Sequence, residues 1–248
     1  MTVAILVYHR LPEGQPTRFH DVTRRDFLAH LALLSDRGAQ GPGPVLRIAD
    51  GTAVLISFDD GTRDHLLAAA QLEEHGWRGL FFVSPALLGS EGRMAPSDVA
   101  ALSARGHWID AHGFSHRRLD RMERHDAMRE LTQAQRRMVE ICGHPAQWFA
   151  PPGGSDPPGF SQMLAQSGFA VLRSMNWGRA REPLAGIVPA IPVTSRIGAH
   201  GLARLLDRSH VAWLVARAAK RIVRSGLGDG IADRICEAFT AVRRRGDK

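Results

Sequence analysis

Between residues 4 and 193 the chain alternates short apolar runs with segments of helical spacing, and this alternation constrains the fold more than any other feature. The runs are AILVYH (4–9), AVLISF (53–58), GLFFVS (79–84), HWIDAH (107–112), QWFAPP (147–152), FAVLRS (169–174) and GIVPAIPV (186–193). The helical segments cover 25–37, 64–75, 96–105, 125–142 and 161–167, and the last four are each followed within a few residues by glycine, a common helix stop. Strands alternating with helices imply a parallel sheet or barrel.

In parallel α/β barrels the chemistry sits at the carboxyl ends of the strands. Polar or turn-forming groups close the runs here: His9, Asp59-Asp60, the stretch His112 to His116, Ala150 to Gly153, and Trp177. On this reading all of them share one face. With 248 residues and 44% hydrophobic content, one large core suffices for the whole barrel.

The two cysteines, Cys142 and Cys236, are far apart and form no CxxC pair, which argues against a disulfide framework or a zinc knuckle. The N-terminal apolar run, Val3 to Tyr8, is too short for a signal h-region, and no stretch reaches the roughly 18 apolar residues of a membrane span. A cytoplasmic protein is the expectation. The net charge of +7 is uneven: residues 1–200 carry 21 basic against 20 acidic residues, and residues 201–248 carry 11 against 5. We therefore expect a barrel over 1–200 and a basic helical extension over 201–248. That extension lacks nucleic-acid motifs and suits either a solvated helical face or peripheral contact with an anionic membrane, here the inner membrane.

The stretch ISFDDGTRDH (56–65) sets two carboxylates, Asp59 and Asp60, side by side after a buried strand. Such a pair requires a nearby cation or full solvation, so a metal ion, an arginine or an ordinary acidic turn are the candidates. Some fifty residues on, His112-Gly-Phe-Ser-His116 spaces two imidazoles by four, which on a helical turn points both the same way. Taken alone, that pair reads equally as two surface histidines. With Asp60 from another strand it makes a three-ligand set that leaves positions for water, the arrangement of a catalytic divalent site.

SFDDG (57–61), HGFSH (112–116) and FAPPGG (149–154), in this order, resemble the polysaccharide deacetylases of carbohydrate esterase family 4. The resemblance runs from about Val3 to Val193 and implies a distorted (β/α)7 barrel. It implies Asp59 as general base, Asp60, His112 and His116 as ligands of one divalent metal, usually Zn2+, and Gly153, after Pro152, as a backbone donor to the oxyanion. The implied activity is hydrolysis of an N-acetyl group on an N-acetylhexosamine of a glycan, such as an exopolysaccharide, an adhesin or a lipid-linked precursor. Two alternatives remain open: a deformylase or deacylase of another lipid-linked amino sugar, and a catalytically silent sugar-binding protein.

The chain departs from the family pattern in three places. No Leu-x-His strand follows the second metal histidine, whereas VYHR (7–10) closes the first run. This resembles the circularly permuted branch that includes poly-N-acetylglucosamine deacetylases, and it makes His9 the acid, facing the base across the site. Ala150 stands where the family has arginine, and Gly153 where it has an aromatic residue. Arg173-Ser-Met-Asn-Trp177 resembles the Asp-x-x-Asp-Trp motif with its first aspartate replaced; Arg173 is the candidate source of the missing guanidinium, and Trp177 of a sugar-stacking wall.

Overall fold

The computed structural model describes residues 1–154 and 159–207. In chain order these form β1 (Thr2–Tyr8), α1 (Arg24–Asp36), β2 (Val45–Arg47), β3 (Ala53–Phe58), α2 (His65–Glu74), β4 (Leu80–Val83), α3 (Pro96–Ala104), β5 (Trp108–Ala111), α4 (Arg124–Cys142), β6 (Trp148–Phe149), α5 (Phe160–Gln166), β7 (Val171–Arg173), β8 (Ala180–Arg181), β9 (Gly186–Val188), β10 (Ile191–Pro192) and α6 (Ala199–Asp207), with short 3-10 turns between. The strands form one sheet in the order β10-β1-β3-β4-β5-β6-β7-β9, with every neighbour along that path parallel. The expected α/β barrel is therefore present as a nearly closed, barrel-shaped sheet.

Its near-closure comes from one run of sequence. GIVPAIPV, expected as a single strand, is split: β9 pairs with β7 at one edge of the sheet and β10 pairs with β1 at the other. Pro189 and Ala190 lie between them, and a proline supplies no N–H to a ladder, so the pairing lapses where the chain crosses the opening. Two antiparallel strands were not expected, β2 on β3 and β8 on β1. Both are short and carry no apolar run that would set them apart in sequence.

The core has two layers because the strands are buried on both faces. Val3, Ile5, Val7, Ala53, Leu55, Leu80, Phe82, Trp148, Ala150 and Val171 fill the lumen. Alternate residues such as Leu6, Val54, Ile56, Phe81, Ile109 and Phe149 face the helices, where Phe27, Leu72, Val99 and Leu131 meet them. Gly143 (φ 77) ends α4 in the left-handed conformation that the sequence placed there.

The boundary expected at residue 200 falls inside α6. Leu202, Leu205 and Leu206 are buried in the core, and the Arg37 guanidinium of α1 forks onto the Asp207 carboxylate at 2.7 and 3.1 Å. Nearby, buried His30 accepts from the Tyr8 hydroxyl at 3.0 Å and donates to Ile197 O at 2.9 Å, clamping α1 between β1 and the approach to α6. The barrel body therefore includes the described part of the proposed extension, and these leucines are not free for a membrane. The rest of the basic tail, with its proposed membrane contact, lies outside the described residues. Among the described residues no helix is long and apolar enough to cross a membrane.

Asp110, at an inward position of β5, is 4% exposed, and its Oδ1 accepts from the Gln147 and Trp148 N–H groups at 2.7 and 2.8 Å. Burial pushes its carboxyl up to about 7, against those two hydrogen bonds. A carboxyl that keeps its proton in the fold beyond its unfolded value favours the fold at low pH, and this advantage is lost as pH rises through about 7. Asp110→Asn should therefore gain stability relative to wild type between pH 4 and pH 8, by on the order of 4 kcal/mol at most. Denaturant unfolding at the two pH values measures it, and parallel behaviour of the two proteins would show that Asp110 titrates normally.

Candidate active site

The period-2 alternation of the strands explains the convergence of the site residues. Positions 3, 5 and 7 of β1 face the lumen, and His9 continues that row; 53 and 55 of β3 lead to Asp59, 148 of β6 to Ala150, and 171 of β7 to Arg173. The register Leu80↔Trp108 and Phe82↔Asp110 puts 108 and 110 on the same face, and His112 follows them. Five strands, β1, β3, β5, β6 and β7, thus deliver inward-facing residues to one end of the barrel.

Asp60, His112 and His116 bring one ligand atom each within 4.8 Å of one another. Asp60 Oδ1 is 2.9 Å from His116 Nε2 and 3.4 Å from His112 Nε2. The His112 Nδ1–H donates to Ala150 O at 2.8 Å, which fixes the tautomer and leaves Nε2 as the bare donor. This donor set fits a divalent cation. Burial opposes charge on Asp60, but the two histidines beside it hold its carboxyl far below the usual range. His112, which burial alone would push down, is held above its ordinary value by the carboxylates of Asp59 and Asp60. Two of the three ligands, Asp60 (φ 79) and His116 (φ 62), have left-handed backbones, a conformation that stores strain when the residue is not glycine.

Asp59 is buried against a fully buried Arg173, whose NH2 group donates to Asp59 Oδ2. Burial opposes ionisation of Asp59, but Arg173, then His112 and His9, outweigh it and keep the carboxyl below the usual range. Asp59 Oδ1 has no hydrogen-bond donor among the described residues, so one acceptor oxygen is held and the other is available. The guanidinium also lies 5.0 Å over the Phe82 ring and donates to Met175 Sδ at 2.7 Å. Since Trp148↔Val171 and Phe149↔Leu172 are paired, Ala150 and Arg173 stand at the same level on adjacent strands. The guanidinium occupies the lumen beside the alanine that replaced the family's arginine.

His9 Nε2 is 3.9 Å from Asp59 Oδ2, and its ring stacks on His20 with centroids 4.8 Å apart. Its backbone is fixed by buried His65, whose Nε2 donates to His9 O at 2.6 Å. Burial lowers the proton affinity of His9 more than Asp59 and Asp60 raise it. His9 is thus a neighbour of Asp59, where the sequence reading had it facing the base across the site. Gly153 (φ 73) lies in the turn Pro152–Gly154. A Cβ there would meet Arg118 Cγ at 3.0 Å, so the stem of Arg118 takes the space of the missing aromatic. Buried Pro152 packs on Gly113, where a Cβ would meet Pro152 Cγ at 3.1 Å. Trp177 is 4% exposed and packed in the core, which leaves its ring almost no surface to stack a sugar.

Sequence reasoning missed the groups that hold the ligands. Glu130, 8% exposed on α4, accepts from Phe114 N–H at 3.0 Å, Ser115 N–H at 2.9 Å and the Ser115 hydroxyl at 2.6 Å, and so pins the loop between the two histidines. Ser84 Oγ donates to His112 O at 2.5 Å, and the Arg93 guanidinium donates to Asp60 O. Glu130 sits at an inward position of an amphipathic helix, and a buried carboxylate there was the one signal available. Glu130→Ala should bind a divalent ion about 10- to 100-fold more weakly while its circular dichroism stays that of the folded barrel. Competition with a fluorescent chelator reads the affinity; an unchanged value would show that the loop holds its own shape.

The polysaccharide deacetylase family model matches residues 47–172, so Arg173 lies one residue beyond the matched region and His9 well before it. No curated protein matches the chain. The Streptococcus pyogenes deacetylase PplD in complex with acetate superposes with a TM-score of 0.73 at 17% identity, over 84% of this chain and 99% of that one. IcaB from Ammonifex degensii gives 0.62 at 19% identity, over 88% and 96%. The de-N-acetylase from Aggregatibacter actinomycetemcomitans gives 0.70 at 10% identity, over 83% and 100%. At such identities the structures establish a shared fold, while the family match spans half of the chain and contains Asp59, Asp60, His112 and His116. The chain belongs to the polysaccharide deacetylase family and is a hydrolytic carbohydrate deacetylase.

Proposed function

We propose that this deacetylase hydrolyses the N-acetyl amide of an N-acetylhexosamine in a glycan, using one divalent ion, Zn2+, held by Asp60, His112 and His116. The observation that carries the reading is the Asp59–Arg173 pair beside the three-ligand cluster: an ionised base with one oxygen available, next to a cation site. Two imidazoles and a carboxylate are a donor set suited to zinc. The neighbour from Aggregatibacter actinomycetemcomitans is named a de-N-acetylase, and the PplD structure contains acetate, the acid that such a reaction releases. A silent sugar-binding role drew its motive from the lost motif arginine and aromatic; of the two, a guanidinium stands on Asp59 after all.

A divalent ion in this site supplies a Lewis acid that lowers the pKa of water and polarises the acyl carbonyl. Asp59 takes the proton of the attacking water on Oδ1 while Arg173 keeps the carboxylate oriented and charged. The water oxygen bonds to the acyl carbon, and negative charge gathers on the former carbonyl oxygen, for which the Gly153 N–H is the assigned backbone donor. His9 then protonates the departing nitrogen, the C–N bond breaks, and acetate and a free amine leave. His9 Nε2 lies 3.9 Å from Oδ2 of the same carboxylate, so the proton that Asp59 accepts on Oδ1 passes to His9 across one carboxyl group. The low proton affinity that burial gives His9 makes it a willing donor once charged.

Asp60→Ala, His112→Ala and His116→Ala should each lose the ion, as measured by elemental analysis. Asp59→Asn should keep the ion and lose hydrolysis of N-acetylglucosamine oligomers by several orders of magnitude. Near-normal acetate release by Asp59→Asn would reverse the assignment.

His9→Ala should also retain the ion, and its hydrolysis of the same oligomers should slow by about 10² to 10⁴. It should recover disproportionately on an activated acetyl ester, whose leaving group needs little protonation. Equal losses on ester and amide would move the acid role to another residue.

A further inference from the structure

At the end of the barrel away from the catalytic residues, β5 and β6 part company. Their paired residues are Ala111 and Phe149, and before that point Asp110 spans the gap with its bonds to the Gln147 and Trp148 N–H groups. A cavity of about 470 Å³ opens there, between the strand starts and the ends of α3 and α4. Its lining includes Trp108, Trp148, Asp110, Gln147, Ser103 and His144. None of these takes part in the proposed mechanism. Four residues of strand separate Trp108 from His112, a rise of about 13 Å, so the cavity is distinct from the ligand cluster.

Three features bear on what the cavity takes. Trp108 is 39% exposed although it begins an inward row, and its ring lies 6.2 Å from that of Trp148 at 43°, so two indoles form a bent apolar wall. Ser103 Oγ and His144 Nε2 lie 3.1 Å apart, and with the Gln147 amide they offer both donors and acceptors at the rim. Among the described residues the lining holds no lysine or arginine, which does not suit a phosphate or another anion. The volume falls in the range of about 300–1,000 Å³ usual for small-ligand sites. Aromatic faces with a few hydroxyl-matching polar groups suit a molecule with apolar C–H faces and a polar edge, which is the character of a pyranose ring.

We propose that this cavity is a second carbohydrate site, in which a neutral pyranose unit of the glycan stacks on Trp108, backed by the buried Trp148, and hydrogen-bonds to Asp110, Gln147 and the Ser103–His144 pair. The backbone N–H groups of Gln147 and Trp148 occupy only Oδ1 of Asp110, which leaves its second oxygen to bond a sugar hydroxyl. A long glycan held here stays tethered to the protein between turnovers, and this second attachment raises the effective concentration of its remaining units without changing the chemistry of a short oligomer. The choice of an N-acetylhexosamine as the sugar rests on the function proposed above.

The test is isothermal titration of an N-acetylglucosamine hexamer into the full chain carrying Asp59→Asn, so that the probe is not consumed. Two binding events per chain are expected. Adding Trp108→Ala should remove one of them or weaken it at least tenfold, and His144→Ala should weaken the same event. In the otherwise wild-type chain, Trp108→Ala should hydrolyse N-acetylglucosamine dimer at the wild-type rate. Hexamer binding that is absent, or indifferent to both substitutions, overturns the second site, even if hydrolysis is intact. Trp108-dependent binding by a protein that releases no acetate supports the second site and instead removes the proposed function.

Discussion

The buried pair of Asp59 and Arg173 is the interaction on which the catalytic end of the barrel depends. A carboxylate inside an apolar lumen would normally surrender its charge, and a guanidinium cannot, so each requires the other. Removing either one leaves an uncompensated buried charge, at a cost of about 3–5 kcal/mol. The pair also breaks the symmetry of the adjacent aspartates. One is committed to an internal cation, and the other, turned into a left-handed backbone, is committed to the histidines.

That turn carries a cost which the surroundings offset. Asp60 and His116 hold positive φ angles that a side chain disfavours, and the groups that stabilise them come from outside the strands. Arg93 grips the Asp60 carbonyl, Glu130 gathers the backbone and hydroxyl of the histidine loop, and Ser84 holds the carbonyl of His112. The strands set which residues face the lumen, while helix α4 and the loops set how the ligands sit. Rigid strands alone would leave the ligand loop to find its own geometry.

The barrel and the three-ligand cluster were legible because both follow from local pattern: apolar runs mark strands buried on two faces, and DDG with HxxxH fixes donor types at known spacing. What was not legible depends on contacts distant in sequence. Glu130 looks like any helix carboxylate until α4 is laid against the histidine loop. His65 carries no signal of its own in the sequence, yet it is buried beneath His9 and holds its carbonyl. Trp177 shares its local sequence with a motif, yet whether an indole lines a cleft or fills a core is decided by packing, and here it fills the core. The boundary drawn at residue 200 follows charge composition, and it falls within α6, whose leucines pack on the barrel's outer layer.

The exchange between Ala150 and Arg173 shows what the sequence pattern constrains. The lumen needs one guanidinium level with Asp59 and over Phe82, and adjacent strands are only about 4.8 Å apart, within reach of an arginine stem from either of them. Two arginines at that level would bring like charges together in a dry space, and none would leave Asp59 uncompensated. A small residue at 150 is therefore the condition for a large cation at 173, and the two departures from the family pattern are one substitution seen twice. In this chain the charge that Asp59 requires at that place in the barrel comes from β7.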